Sequence, residues 1–361
     1  MAKATAKPKP KAKPKTKTAK AAPPSDDDPQ RAALLAAIIA QPDDKKPRLV
    51  YADHLQEQGD ARGELITLQC TRAELAPDDP RVAEIVARED ELLKKHKKLW
   101  TAFGDTKGAR WEYRRGFVEK ASLDATALAA HGKTILASEP IEELNIWKID
   151  EYKPGLATVL ALPLQHLKRL SVARSRLKVA DWTALATAKT LGNVELLDAS
   201  VTGMGEQKGA TAAFAKTASL PKLRELRLNG AYLSDEDFVA LAKSKTLRFE
   251  RLVATNNFVG AVGLAAMLES AWAPHLVHLD LTSNESVRIE GLEVLAKATT
   301  LPALKTLKLD YAGIWTDDDG VIDLVTRSPV FARLELLDLS QNLSGTHRER
   351  IRAVMGERFI G

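Results

Sequence analysis

A short leucine pattern recurs along most of the chain and constrains its fold more than any other feature of the sequence. Its clearest copy is the stretch 276–284, which reads Leu-Val-His-Leu-Asp-Leu-Thr-Ser-Asn. The first Leu of the central triplet marks each copy, and the markers are Leu144, Leu170, Leu197, Leu226, Leu252, Leu279, Leu307 and Leu337. Successive markers lie 26, 27, 29, 26, 27, 28 and 30 residues apart. Because one such unit cannot bury its own apolar face, the sequence predicts a stack of units.

Halfway along each unit, the spacing of the apolar residues changes from that of a strand to that of a helix. The central triplet places an outward residue between two inward ones, which predicts a short strand. A helical pattern follows, as at 181–186, 234–242 and 291–296, and Ser234 with Glu236 or Asp237 suits a helix N-terminus. The fifth residue after the marker is polar in five units, namely Ser175, Thr202, Asn257, Asn284 and Asn342. These side chains can hydrogen-bond the backbone where the strand ends.

The pattern resembles the leucine-rich repeat, and its long period and helical second half resemble the ribonuclease-inhibitor type of that repeat. The resemblance covers about residues 117–361 and implies a parallel concave sheet with an outer layer of helices. The predicted fold class is therefore α/β: a leucine-rich repeat solenoid preceded by a small all-α domain and a disordered basic tail. The expected divisions are a tail at 1–28, a helical domain at 29–100, a junction and N-terminal cap at 101–143, and the solenoid at 144–361.

Both ends of the stack need a cap that covers the open core. The stretch 111–121 alternates and predicts one opening strand, in which Phe117 lies one repeat length before Leu144. A helix is expected to follow at 124–137. At the other end, a charged helix at 346–358 is expected to close the stack.

The helical region also has a recognisable sequence. Helices are expected at 32–40, 47–58, 62–76 and 80–100. The strings Pro-Arg-Leu-Val-Tyr-Ala-Asp-His-Leu at 47–55 and Arg-Gly-Glu-Leu-Ile at 62–66 resemble the bacterial repeat-companion domain. His54 and Leu65 depart from that family, which usually has Trp and Phe there. The resemblance implies a position ahead of leucine-rich repeats rather than a biochemical role. The charged residues of this region are expected to hold helix ends rather than form a functional cluster; they are Arg48, Asp53, Arg62 and Glu64.

The first residues of the chain repeat Lys, Ala and Pro. Residues 1–20 contain eight Lys and no acidic residue, so removing them changes the formal net charge from +5 to −3. Such a composition predicts disorder, and it resembles the tails of histone-like proteins. The residues expected to contact nucleic acid are Lys7, Lys9, Lys11, Lys13, Lys15 and Lys17. That binding would be non-specific and salt-sensitive; the alternatives are a solubilising leader or a tail for any polyanion.

The sequence offers no group of residues suited to catalysis or metal binding. Cys70 is the one cysteine, which excludes a disulfide framework. On a strand, the spacing of His275 and His278 sends the side chains to opposite faces. We therefore expect no enzymatic activity, no cofactor and no metal. No run of 18 apolar residues and no signal-peptide pattern occurs, so we expect no membrane association and a cytoplasmic location.

The predicted concave face is the candidate binding surface. The residues of this face expected to bind the partner are Trp147, Arg169, Asp198, Arg227, Arg251, His278, Asp280, Lys308, Asp310 and Asp338, and Glu225 is expected on the same face. Trp147 and Tyr311 are possible aromatic anchors, whereas Trp182, Trp272 and Trp315 are expected to pack in the core. The favoured function is a non-enzymatic scaffold that binds another protein through this face. The alternative is a nucleic-acid-associated protein tethered by its Lys-rich tail.

Overall fold

The fold is an α/β solenoid of leucine-rich repeats that follows a group of four helices. A computed structural model describes residues 28–149, 155–315 and 319–361. Within these residues the helices are α1 (Pro29–Ala40), α2 (Lys45–Glu57), α3 (Ala61–Arg72), α4 (Arg81–Trp100), α5 (Ala125–Ser138), α6 (Leu156–Leu160), α7 (Val179–Thr187), α8 (Ala210–Phe214), α9 (Asp235–Ala242), α10 (Ala261–Leu268), α11 (Arg288–Ala296), α12 (Gly320–Arg327) and α13 (Gly345–Met355). None of these described helices is both long enough and apolar enough to cross a membrane.

The strands of the described residues form one sheet in chain order. They are β1 (Arg110–Arg114), β2 (Phe117–Asp124), β3 (Glu143–Trp147), β4 (Arg169–Ser171), β5 (Leu196–Asp198), β6 (Glu225–Arg227), β7 (Arg251–Val253), β8 (His278–Asp280), β9 (Thr306–Lys308), β10 (Leu336–Asp338) and β11 (Phe359–Ile360). Strands β2 to β11 run parallel, and β1 is antiparallel to β2. Each marker Leu pairs with the next, as Leu252 does with Leu279.

The core lies between the sheet and the helices. The eight marker Leu side chains are all buried, and Trp182 and Trp272 are fully buried as predicted. Packed helices need about 8–10 Å each, whereas strands need about 4.8 Å. A sheet with one helix layer therefore curves away from the helices, and its uncovered face is called the concave face below.

The turn after each strand repeats the same backbone conformation. The fourth residue after the marker has a positive φ in all eight units; these residues are Lys148, Arg174, Val201, Gly230, Asn256, Ser283, Tyr311 and Gln341. The next residue then points into the core. Asn284 donates from Nδ2 to Ala254 O and Leu281 O, both at 2.9 Å, and accepts from Val259 N at 3.2 Å. The predicted role of the asparagines in binding strand-end backbone is confirmed.

Helices α1 to α3 form a second small core around Tyr51 and Phe117. Asp28 caps α1 and also accepts hydrogen bonds from Gln58 and His54, both at 2.8 Å. Gln58 first, and then the backbone N–H of Arg31, lower the pKa of Asp28 to about 2. Asp28, assigned from sequence to the end of the tail, is therefore the start of α1.

Two buried arginines join the helices to the hairpin of β1 and β2. Arg48 forms an ion pair with Glu119 at 2.9 Å, and Arg62 forms one with Glu139 at 2.8 Å. Both guanidinium groups also lie over the ring of Phe117, at 5.2 and 4.5 Å. The helices therefore dock on the first strands of the sheet rather than standing apart.

The N-terminal cap differs from its prediction. The expected single strand is a hairpin, because Arg115 and Gly116 both have positive φ and form a two-residue turn. Phe117 is not the marker of this unit, since Ala121 is the residue that pairs with Leu144. Phe117 belongs instead to the core of the helical group.

Other helix boundaries also differ from those predicted from the sequence. Helix α2 begins at Lys45, since Pro47 is tolerated in a first turn, and α3 ends at Arg72 rather than at residue 76. The last helix ends at Met355, and β11 then pairs with β10 to close the sheet. Asp319, the residue before α12, makes no side-chain hydrogen bond to that helix, and its carboxylate instead accepts from Arg350 of α13 at 2.6 Å.

Candidate functional site

The concave face carries three rows of side chains that cross the strands. They come from the residues one before, one after and three after each marker, since alternate residues point away from the core. Arg169, Arg251 and His278 lie in the first row. The second row contains Asp198, Arg227, Asp280, Lys308 and Asp338. Trp147 and Asp310 lie in the third row, so all ten residues singled out from the sequence share this face. Trp147 and Asp338 are nevertheless seven strands apart, about 34 Å, and one small ligand cannot contact both.

In the middle of the concave face, one carboxylate forms ion pairs with two arginines. Glu225 binds Arg227 at 2.6 Å and Arg251 at 3.4 Å. His278 lies beside Arg251 and is 8% exposed. Burial, followed by the charge of Arg251, lowers the pKa of His278 below its ordinary value. The imidazole is therefore neutral at physiological pH, and the positive charge of this region comes from the two arginines.

The C-terminal end of the face is acidic. Asp280 and Asp338 flank Lys308 in the second row, and Asp310 lies in the third row beside them. Burial, and then the charge of Asp338, raise the pKa of Asp310. One oxygen of Asp310 has no hydrogen-bond partner among the described residues. Lys308 alone therefore does not neutralise the negative charge of the three aspartates at the C-terminal end of the face.

A line of exposed aromatic side chains borders the acidic end and was not predicted as a unit. This aromatic edge consists of Tyr232, Phe258, Tyr311 and Trp315, which are 50%, 57%, 48% and 65% exposed. The rings of Tyr232 and Phe258 are 6.2 Å apart. Phe258, Tyr311 and Trp315 line a groove of about 740 Å³ together with Glu285 and Arg288. The prediction that Trp315 packs in the core is wrong.

The repeat explains why these rings are exposed. Tyr232 and Phe258 are both the sixth residue after their markers, and the fifth and seventh residues are buried on either side. Tyr311 occupies the turn position with positive φ, and Trp315 follows the buried Ile314. The alternation of residues five, six and seven was visible in the sequence and could have identified the first two.

Other candidate groups take no part in this surface. Glu64 on α3 binds Arg88 on α4 at 2.7 Å, so this ion pair links two helices. Arg62 on α3 binds Glu139, the residue after α5, so this pair joins the helical group to the first repeat helix. The predicted lysines of the tail lie outside the described residues. Within the described ranges, no group of three or more His, Cys, Asp or Glu could hold a metal ion.

Comparison with known proteins does not assign this chain to a family. No family model matches the sequence, and no curated protein matches it. The chain is similar to one in the crystal structure of the Rad7 and Elc1 complex in yeast, with a TM-score of 0.47, 9% identity, and coverage of 84% of this chain and 88% of that chain. An internalin from Listeria monocytogenes gives a TM-score of 0.36 and 19% identity, with coverage of 65% of this chain and 69% of that chain. The C-terminal domain of tropomodulin from Caenorhabditis elegans gives a TM-score of 0.28 and 14% identity, with coverage of 50% of this chain and 92% of that chain. At these values the likeness carries no conclusion about function.

Proposed function

We propose that this protein is a non-enzymatic scaffold that binds another protein through the C-terminal half of its concave face and the aromatic edge. One observation carries the proposal: four large aromatic side chains from three repeats are about half exposed or more, and three of them line an open groove while the fourth, Tyr232, lies beside Phe258. A monomeric protein rarely exposes a contiguous apolar patch without using it. Tyr and Trp are also the residues that most often dominate the energy of protein interfaces.

The charges around the aromatic edge fit the rim of an interface. Asp280, Asp310 and Asp338 lie on one side of it, and Arg227 and Arg251 lie farther along the concave face. A polar rim of this kind fixes orientation and speeds association more than it adds affinity. The partner is accordingly expected to present apolar side chains to the edge and basic ones to the aspartates.

The remaining parts of the proposal come from the sequence. We propose that α1 to α4 are a repeat-companion domain of bacterial type, and that the repeats are of the ribonuclease-inhibitor type. A cytoplasmic location and the divisions near residues 28, 100 and 143 are proposals on the same basis. What supports a structural role for the helices is their docking on the hairpin through Arg48 and Arg62.

The test is affinity capture from host lysate with the full-length protein and matched variants. The double variant Tyr232→Ala/Phe258→Ala removes two rings that are already exposed, so its thermal unfolding should stay close to that of the wild type. We expect the captured partner to be reduced at least about tenfold, because hot-spot truncation costs roughly 2 kcal/mol or more. Nuclease treatment of the lysate should leave capture by the wild type unchanged.

The control for this test is Val262→Ala. Val262 is 65% exposed but lies on α10, in the outer helix layer. It should capture the partner as the wild type does. Equal capture by the double variant and by this control would contradict the proposal, as would capture that disappears with nuclease.

A further inference from the structure

A hollow lies at the opposite end of the concave face from the aromatic edge. Its volume is about 530 Å³, and Trp147 is the one aromatic side chain among its lining residues. Ser171 on the next strand and Ala173 just after it are small, as is Ser122 on the strand before. Trp147 is half-buried, since it packs against the core and also lines the hollow, so part of the indole borders open space.

The charge around this hollow is positive. Arg110 and Arg174 line it and are exposed, and within the described ranges neither guanidinium has an ion-pair or hydrogen-bond partner. The nearby acids are already engaged: Glu143 binds Arg114 at 2.7 Å, and Asp124 accepts the backbone N–H of Ala127 at 2.8 Å. The two arginines therefore remain available to a ligand.

We propose that this hollow binds single-stranded nucleic acid, with one base stacked on the indole of Trp147 and the neighbouring phosphates paired with Arg110 and Arg174. Aromatic stacking combined with a positive groove is the common physical basis of binding to single strands. Guanidinium groups suit phosphate because they donate in a fixed fork. Asn145 and Ser171, which also line the hollow, offer further hydrogen-bonding groups.

Two considerations favour a single strand over other polyanions. A base in a duplex is already stacked on both sides, so it cannot cover Trp147 without being extruded. An acidic peptide would satisfy the arginines but supplies carboxylates without a planar base to stack on the indole. The eight lysines among residues 1–20 add a second basic segment to the same chain, and a long polyanion can use both.

The proposal is tested with the full-length protein, a fluorescent oligothymidylate and its duplex with oligoadenylate. We expect the single strand to bind more tightly than the duplex and to quench tryptophan fluorescence. Trp147→Ala should bind the single strand about tenfold more weakly and lose the quenching, whereas Trp147→Phe should retain most of the affinity. Arg110→Glu/Arg174→Glu should weaken binding and reduce its dependence on salt.

Trp315→Ala is the matched control, because it removes an exposed Trp at the far end of the solenoid. It should bind the oligonucleotide as the wild type does. Unchanged binding by Trp147→Ala would mean that the lysines alone hold the strand, and this would overturn the proposal. Equal binding and quenching by polyglutamate would overturn it too, since the ligand would then be an acidic peptide. Protein capture through the aromatic edge is a separate readout, so the two proposals can fail independently.

Discussion

Arg62 donates hydrogen bonds of 2.8 Å from Nη2 to both carboxylate oxygens of Glu139. Arg62 comes from α3 and Glu139 from the residue that follows α5, and both side chains are buried. Glu139 also accepts the backbone N–H of Val118 at 2.7 Å. A single carboxylate therefore fixes the helical group, the hairpin and the first repeat helix relative to one another.

Glu139→Ala is expected to destabilise the protein by about 3–5 kcal/mol, because it leaves the buried guanidinium of Arg62 without its charge partner. The loss should appear in urea unfolding followed by tryptophan fluorescence. The double variant Arg62→Met/Glu139→Leu should be more stable than Glu139→Ala, since no charge is then left unpaired. A double variant that is less stable than the single one would contradict this account.

Local periodicity was enough to predict the repeats. Each marker Leu, and each Asn at the fifth position, acts within its own unit or on the unit beside it, so spacing alone locates them. The residues of the concave face follow for the same reason, since a strand alternates its faces.

Long-range contacts were not predictable in this way. The sequence of the first strand looked continuous because its turn is Arg115-Gly116, without the Asn or Asp that usually precedes Gly in such a turn. Phe117 fits the leucine spacing but is bound by Arg48 and Arg62, which come from more than fifty residues earlier. The prediction for Trp315 was wrong because its neighbours in the sequence are typical of a packed segment, whereas the exposure of its side chain depends on the adjacent repeats.

Asn284→Ala is expected to lower the free energy of unfolding by about 3 kcal/mol, because it leaves the buried carbonyls of Ala254 and Leu281 and the N–H of Val259 without this partner. Ser175→Ala is the matched control at the same repeat position. The hydroxyl of Ser175 is buried without a partner among the described residues, so its removal should be neutral or slightly stabilising. Chemical denaturation measures both, and equal losses would contradict the argument.

Val201→Asn is expected to stabilise the protein by about 1 kcal/mol. Val201 has φ +56, and a β-branched side chain in this left-handed region is strained by roughly 1–2 kcal/mol. The side chain is 52% exposed, so little packing is lost. The reverse change, Asn256→Val, places the same strain at the equivalent turn, where φ is +53. Thermal unfolding should shift upward for the first variant and downward for the second.

The stability of the protein is expected to rise with pH through the titration of His278. Burial, and then the charge of Arg251, hold the pKa of the folded imidazole below its ordinary value of about 6.5. Below pH 6.5 the unfolded chain therefore binds a proton that the folded chain does not, and stability falls until the folded pKa is reached. Above about pH 6.5 the contribution is fully present.

His278→Gln removes this titration, so the difference in unfolding free energy between the wild type and this variant should change with pH below about 6.5 and be constant above it. Taking the difference cancels the other six histidines. Arg251→Gln should raise the pKa of His278, measured by NMR on the imidazole, because one cause of its depression is gone. The concave face places Arg251 and His278 side by side in one row. If the pKa of His278 is the same in Arg251→Gln as in the wild type, burial alone lowers that pKa. The pH dependence of unfolding stability should then be the same in Arg251→Gln as in the wild type.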